Sequence, residues 1–180
     1  MQNLVQIHDN LFSELELRHI YLWCKNVPYY YNQSSDTDVL VDRQTRFSHP
    51  FDPKKQCDYV YERITEKILS IVDYQLECVH SYVNFYDFST PTVIHPDVDF
   101  TNIGVTALFF TTRKWDPNWG GEIIFYDDQY EVSQAVSYKP NRVLFFDSGL
   151  LHGVKQPSVN AQLPRYSIAF KYDILRNDKV

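Results

Sequence analysis

Apolar residues recur at helical spacing in two N-terminal stretches and at strand spacing through most of the remaining chain. Ser13 with Glu16 has the form of a capping box. Leu17, Ile20, Tyr21 and Cys24 follow at three- and four-residue intervals, which predicts a helix running to about Asn26. Asp52-Pro53 offers an N-cap with proline at the first helical position, and Val60, Ile64, Ile68, Ile71 and Val72 share one face of the helix predicted after it. Residues 31–50, between the two, are polar and irregular; so long a connector in a compact chain is either functional or mobile. They form a candidate lid facing a substrate. From residue 78 the period is two: Val79, Ser81, Val83 and Phe85 alternate with His80, Tyr82, Asn84 and Tyr86. Further strands are expected at about 101–111, 122–127, 134–138, 142–147, 151–154 and 165–174, with turns at Asp116-Pro117-Asn118 and Pro140-Asn141. Helices followed by many short strands imply a mainly β chain with flanking α-helices, a sandwich or barrel.

No repeat, low-complexity tract or linker interrupts the 180 residues, so one domain is expected: residues 1–77 as a helical flank with the candidate lid, and 78–175 as the β core. Fourteen Tyr and twelve Phe against five Gly reinforce the strand-rich reading, because aromatic rings suit a pleated surface. The net charge of −6 disfavours a broad duplex-binding face, which needs clustered Lys and Arg; nucleic acid is therefore not the expected partner. Cys24, Cys57 and Cys78 are odd in number without C-x-x-C spacing, as for reduced thiols. The first ten residues carry no basic and apolar leader, and no apolar run approaches the length of a membrane span. A cytoplasmic location without membrane contact is the expectation.

The candidate chemistry centres on His95-Pro96-Asp97 and the distant His152. Two imidazoles and a carboxylate can hold Fe(II) on one octahedral face and leave three positions open. On extended backbone, residues i and i+2 point to the same side, so His95 and Asp97 can grip one ion together. Six His and 16 Asp in 180 residues produce roughly half an H-x-D by chance, so the triplet gains weight only from its surroundings. Arg165 opens RYSIAFKYD, in which Arg165, Ser167, Ala169 and Lys171 share one strand face and Tyr166, Ile168 and Phe170 the other. A planar guanidinium there suits two-point capture of a carboxylate. Tyr86 shares its strand face with Asn84 and Tyr82, and a phenol or amide on that face could donate to a bound acid. Lys171 is either within reach of Asp97 or a substrate, or a solvated strand residue.

Taken together, Tyr86, His95-x-Asp97, Trp115, Gly120-Gly121-Glu122, His152-Gly-Val and Arg165-Tyr-Ser resemble the Fe(II)/2-oxoglutarate-dependent dioxygenases, in their prolyl 4-hydroxylase-like branch. ALFFTTRKWDPNWGGEIIFYDD is similar to that branch's strand, Trp-bearing loop and Gly-Gly-Glu turn, and NRVLFFDSGLLHGV to its approach to the distal histidine. The resemblance covers about residues 80–173. It implies a double-stranded β-helix, a cupin-like jelly roll, with His95, Asp97 and His152 as iron ligands. Arg165 would pair with the distal carboxylate of 2-oxoglutarate, Tyr86 would hydrogen-bond the same acid, and Ser167 and Asn84 would line its pocket. The keto-acid end and O₂ would occupy the open iron positions. The implied reaction hydroxylates an unactivated C–H with release of succinate and CO₂.

Some residues depart from the pattern. Phe109-Phe110 stand where relatives often carry a tyrosine, leaving Tyr86 as the phenol donor, and KQPSVNAQLP lengthens the interval from His152 to Arg165. Asn84-x-Tyr86 before the H-x-D and the terminal RYSIAFK also look like the AlkB-type nucleic-acid demethylases. That branch ends R-x-N-x-T-x-R, where this chain has Ser167, Ala169 and Lys171. The Trp loop, the Gly-Gly-Glu turn and the acidic balance favour the hydroxylase branch. The expected substrate is a prolyl or other residue of a peptide or protein; a free amino acid or small molecule is the next reading, and a non-catalytic jelly-roll binding protein the last. Trp115, Arg43 and Arg46 are candidate substrate contacts; Trp115 and Trp119 either stack on substrate or anchor their loop.

Overall fold

The structure, a computed structural model, describes residues 5–31, 47–97 and 104–175. An edge strand β1 (Val5–Asp9) leads into helix α1 (Glu14–Asn26). The capping box forms as expected: Glu16 N–H donates to Ser13 Oγ, and Ser13 N–H donates to the Glu16 carboxylate. Short strands β2 (Tyr30–Tyr31) and β3 (Phe47–Pro50) precede helix α2 (Asp58–Leu69). The remaining strands are β4 (Gln75–Tyr86), β5 (Gly104–Phe110), β6 (Ile123–Tyr126), β7 (Val132–Val136), β8 (Arg142–Asp147), β9 (His152–Val154) and β10 (Arg165–Leu175).

Seven strands form one sheet in the order β1-β8-β5-β10-β4-β3-β2, and three form a second in the order β7-β6-β9. Both faces of the large sheet are covered. On one lie Leu17, Ile20 and Cys24 of α1 and Val60, Ile64 and Ile68 of α2, against Val83, Phe109, Phe145, Ile168 and Phe170. On the other, Ile123, Phe125 and Val136 of the small sheet pack against Leu108, Phe110, Leu144, Phe146 and Ala169. Alternate residues of a strand point to opposite faces, so each central strand feeds two cores. On β10, Tyr166, Ile168, Phe170 and Tyr172 face the helices, and Arg165, Ser167, Ala169 and Lys171 face the small sheet. Polar chemistry on β10 is thus confined to the cleft between the sheets.

The structure corrects three local expectations. Asp52-Pro53 does not begin the second helix: Asp52 Oδ1 accepts from Lys54 N–H and its carbonyl from Lys55 and Gln56, closing a turn before α2 starts at Asp58. Ile71 and Val72 lie past the end of α2 yet pack against the same core. Val79 is exposed, because a bulge pairs Lys171 with His80 and Tyr172 with Cys78, leaving Val79 as the extra residue. The stretch read as a helical flank also supplies β1, β2 and β3 to the large sheet, and residues 47–50 of the candidate lid are β3. Residues 32–46, with Arg43 and Arg46, lie outside the described residues. Among the described residues no helix is long and apolar enough to cross a membrane, and Cys24, Cys57 and Cys78 are unpaired thiols.

Candidate metal centre

His95 and His152 are brought side by side by the backbone. Each donates its peptide N–H to the other's carbonyl, at 2.9 and 3.0 Å, so two residues distant in sequence become directly opposed neighbours. Asp97, two positions on, is tied by its N–H to Ser148 O at 2.8 Å and turns to the same side as His95. Each imidazole's Nδ1 faces a carbonyl two residues back, Val93 O for His95 and Leu150 O for His152. A carbonyl can only accept, so Nδ1 carries the proton and the lone pair sits on Nε2. Those Nε2 atoms lie 3.7 Å from the two oxygens of Asp97, and the three ligand atoms are all within 4.8 Å of one another. Atoms held about 2.1 Å from one ion at right angles lie about 3 Å apart, so a small closure completes the set.

The Asp97 side chain is 4% exposed, and four groups face it. Lys171 Nζ is 3.0 Å from Oδ1, Thr106 Oγ1 donates to Oδ2 at 2.8 Å, and the two imidazoles complete the ring. Burial pushes the carboxyl up, but the Lys171 ammonium, the imidazoles and the Thr106 hydroxyl outweigh it and hold it far below the usual carboxylate range. It is a carboxylate at any physiological pH. Phe146 stands edge-on to the His152 ring at 4.9 Å, with Phe125 behind at 6.1 Å, an apolar wall on one side of the triad. Lys171, one of whose two readings was a solvated residue, is buried with its Nζ over the Tyr82 ring.

Arg165 lies at the other end of the β10 inner face with no exposed surface. Its Nε donates to Gly121 O at 2.9 Å and its Nη1 to Ser167 Oγ at 3.2 Å. Nη2 is buried with no partner, as is Oδ1 of Asn84, which sits opposite Ser167 across the strand pair. The guanidinium is otherwise enclosed by rings: Phe110 at 4.9 Å, Tyr138 at 5.0 Å and Tyr86 at 5.4 Å. Burial lowers its pKa, partly offset by Tyr138, Tyr86 and Glu122. A desolvated cation with an unmet donor calls for an anion. The small Ser167 and Ala169 between Arg165 and Lys171 leave the strand face low, with a cation at each end. These residues fit a short acid chelating a metal, on the orphaned Nη2 and the donor set alone.

The Gly-Gly turn is built to hold Arg165. Gly120 and Gly121 have φ of +70° and +81°, and a Cβ on Gly121 would come within 3.0 Å of the Trp115 ring and 3.3 Å of Arg165 Cδ. Trp115 Nε1 donates to Gly120 O at 2.9 Å, and its ring packs on Tyr138 at 4.6 Å and Trp119 at 5.3 Å. Of its two readings, these contacts are those of a loop anchor. Tyr138 escaped sequence reasoning; its hydroxyl accepts from Thr112 N–H and donates to Tyr166 O. Thr106 and Ser148 escaped it too, although a threonine inside the apolar run VTALFF is a visible anomaly.

Residues 74–172 match the family model of the 2OG-Fe(II) oxygenase superfamily. No curated protein matches the chain by sequence. The fold is shared with a Pseudomonas putida prolyl-4-hydroxylase at TM-score 0.74, 14% identity, and coverage of 97% of this chain and 94% of that one. It is shared with a Trichoplax adhaerens prolyl hydroxylase in complex with a hypoxia inducible factor oxygen degradation domain peptide, at TM-score 0.71, 18% identity, and coverage of 96% and 84%. HygX of Streptomyces hygroscopicus with nickel, 2-oxoglutarate and hygromycin B bound aligns at TM-score 0.67, 12% identity, and coverage of 94% and 82%. The two-sheet architecture is therefore the double-stranded β-helix expected from the sequence.

Proposed function

The chain belongs to the 2OG-Fe(II) oxygenase superfamily and is a 2-oxoglutarate-dependent oxygenase, and we propose that it hydroxylates an unactivated C–H of a prolyl or other residue in a peptide or protein. The observation that carries this reading is the convergence of His95, Asp97 and His152 at one end of the cleft. His95 Nε2, His152 Nε2 and one Asp97 oxygen hold the metal, and the Nδ1–H bonds to Val93 O and Leu150 O keep both imidazoles in the ligating tautomer. Arg165 offers Nη2 to the distal carboxylate of the co-substrate, while Gly121 O and Ser167 Oγ fix the plane of its fork. Tyr86 and Asn84 complete that end. Iron, when bound, supplies O₂ activation coupled to conversion of 2-oxoglutarate to succinate and CO₂.

One feature favours a peptide over a free metabolite. A groove of about 500 Å³ runs beside the Gly120-Gly121-Glu122 turn, lined among others by Phe88, Pro117, Asn118, Glu122, Lys155 and Val159. Phe88 and Val159 are exposed apolar side chains on its rim, suited to an extended segment with apolar and amide contacts.

The test begins with anaerobic titration of the metal-free protein with Fe(II) and then 2-oxoglutarate. A weak visible charge-transfer band is expected, lost in His152→Ala and weakened in Arg165→Ala. Succinate release is then compared across proline-containing peptides, free amino acids and methylated oligonucleotides. Stimulation by peptides supports the proposal; stimulation by free amino acids or oligonucleotides alone overturns the substrate class.

A further inference from the structure

We propose that Lys171 is a positioning residue for Asp97, holding its carboxylate so that one oxygen meets the metal; this rests on the iron reading above. An ammonium on an inner strand face is costly to desolvate, and an apolar side chain of the same length would fill the space without that cost. Lys171 is nevertheless there, its side chain 9% exposed, with Nζ 3.0 Å from Asp97 Oδ1 and 3.4 Å from the Asp97 carbonyl.

The partner on the other oxygen comes from the neighbouring strand. Lys171 is paired in register with Thr106 of β5, and the Thr106 hydroxyl lies 2.8 Å from Asp97 Oδ2. Ser148 Oγ lies 3.0 Å from that hydroxyl, and Ser148 O takes the Asp97 N–H. Each oxygen of the carboxylate is thus engaged by a different strand, and its peptide by the β8–β9 turn. The carboxylate cannot turn to chelate an ion through both oxygens without breaking one of these contacts. One-oxygen ligation conserves the three open positions that keto acid and O₂ require. The bulge in β4 falls between the pairs made by Lys171 and Tyr172, and bulges re-aim side chains beside sites.

Positioning and bare electrostatics predict opposite results. An ammonium this close repels a divalent ion, so on charge alone its removal tightens metal binding. If Lys171 positions Asp97, its removal weakens binding despite the relief of repulsion. The experiment is Co(II) binding to the metal-free protein, read by competition with a chromophoric chelator and by the visible d–d bands, without turnover. Lys171→Met is expected to lose about 10–100-fold in Co(II) affinity with altered bands, and Lys171→Arg to regain most of both. Equal or tighter binding by Lys171→Met with unchanged bands overturns the proposal, as does failure of Lys171→Arg to restore them while folded by near-UV circular dichroism. His152→Ala is run alongside. Wild-type protein that binds no Co(II) overturns the iron reading and this inference together; wild-type binding that His152→Ala loses and Lys171→Met keeps overturns this inference alone.

Discussion

Arg165 carries its charge with no surface exposed to water, so its two remaining requirements are a fixed fork and an anion. Lysine in its place keeps the charge but reaches neither Gly121 O nor Ser167 Oγ in the same plane. Arg165→Lys is expected to weaken 2-oxoglutarate binding on the order of 100-fold, the loss of the charge-assisted hydrogen bond that Nη2 offers from a fixed plane, with Fe(II) affinity little changed. Anaerobic titration of the charge-transfer band separates the two constants; unchanged 2-oxoglutarate affinity removes Arg165 from the site. Gly121→Ala acts on the same fork from behind. At φ +81° with Trp115 at 3.0 Å from the new methyl, it is expected to cost about 1–3 kcal/mol in thermal melts. His95, Asp97, His152 and Arg165 were legible as candidates because their residue types stand in one order among the surrounding motifs, whereas the H-x-D spacing alone is weak. Thr106 was not, and for Lys171 the reach to Asp97 was one of two readings, because their joint grip on Asp97 depends on a strand register linking positions far apart in the chain.

At the scale of elements, period predicted type well and ends poorly. The capping box fixed the start of α1, where side-chain chemistry and helix boundary coincide. Asp52-Pro53 misled because the same two residues serve equally as a turn, and α2 instead starts after Cys57 at φ +59°. Strand β1 escaped notice because the alternation Val5-Gln6-Ile7-His8 is only four residues long; as an edge strand it is only partly buried, and Ile7 is exposed. What holds β1 down is an ionic clamp: Asp9 accepts from Arg142 Nε at 2.7 Å and from Lys139 Nζ at 2.6 Å. The Arg142 hydrogen bond, with Lys139, overcomes burial and lowers Asp9 from 3.8 to about 2. The folded state therefore binds its proton less readily than the unfolded chain. The stabilisation is complete above the unfolded carboxylate range and is lost as pH falls through about 2. Screening at this partly exposed site reduces it to about 1–2 kcal/mol. Asp9→Asn should cost that amount at pH 7 and little near pH 2, with faster amide exchange confined to β1 and its β8 partner. Equal destabilisation at both pH values would mean the clamp acts by packing alone.

Across the whole molecule, the layered plan explains both what sequence conveyed and what it withheld. Two runs at helical period and a series at period two led to helices packed on a jelly roll, since each amphipathic element needs a partner face. Strand order is not encoded that way: β5 and β8 carry apolar residues on both faces, so their alternation cannot tell which face meets the small sheet. The site lies in that undetermined space. His95 and Asp97 come from a segment outside the named strands, His152 opens β9 in the small sheet, and Thr106 and Lys171 belong to the large one. An ion at His95, Asp97 and His152 would therefore tie β9 of the small sheet to Asp97, which Thr106 and Lys171 of the large sheet hold in turn. That geometry makes metal binding a global stability term. A ligand specific to the folded state at 100 times its Kd adds about 2.7 kcal/mol. For a chain of this size the corresponding rise in Tm is about 5–10 °C. Co(II) or anaerobic Fe(II) should produce that rise in calorimetry, and a chelator should reverse it. His152→Ala should abolish the rise, because the small-sheet ligand is gone. Arg165→Ala should keep it, because Arg165 contributes nothing to the ion itself. A shift that survives in His152→Ala would place the stabilising metal elsewhere in the molecule.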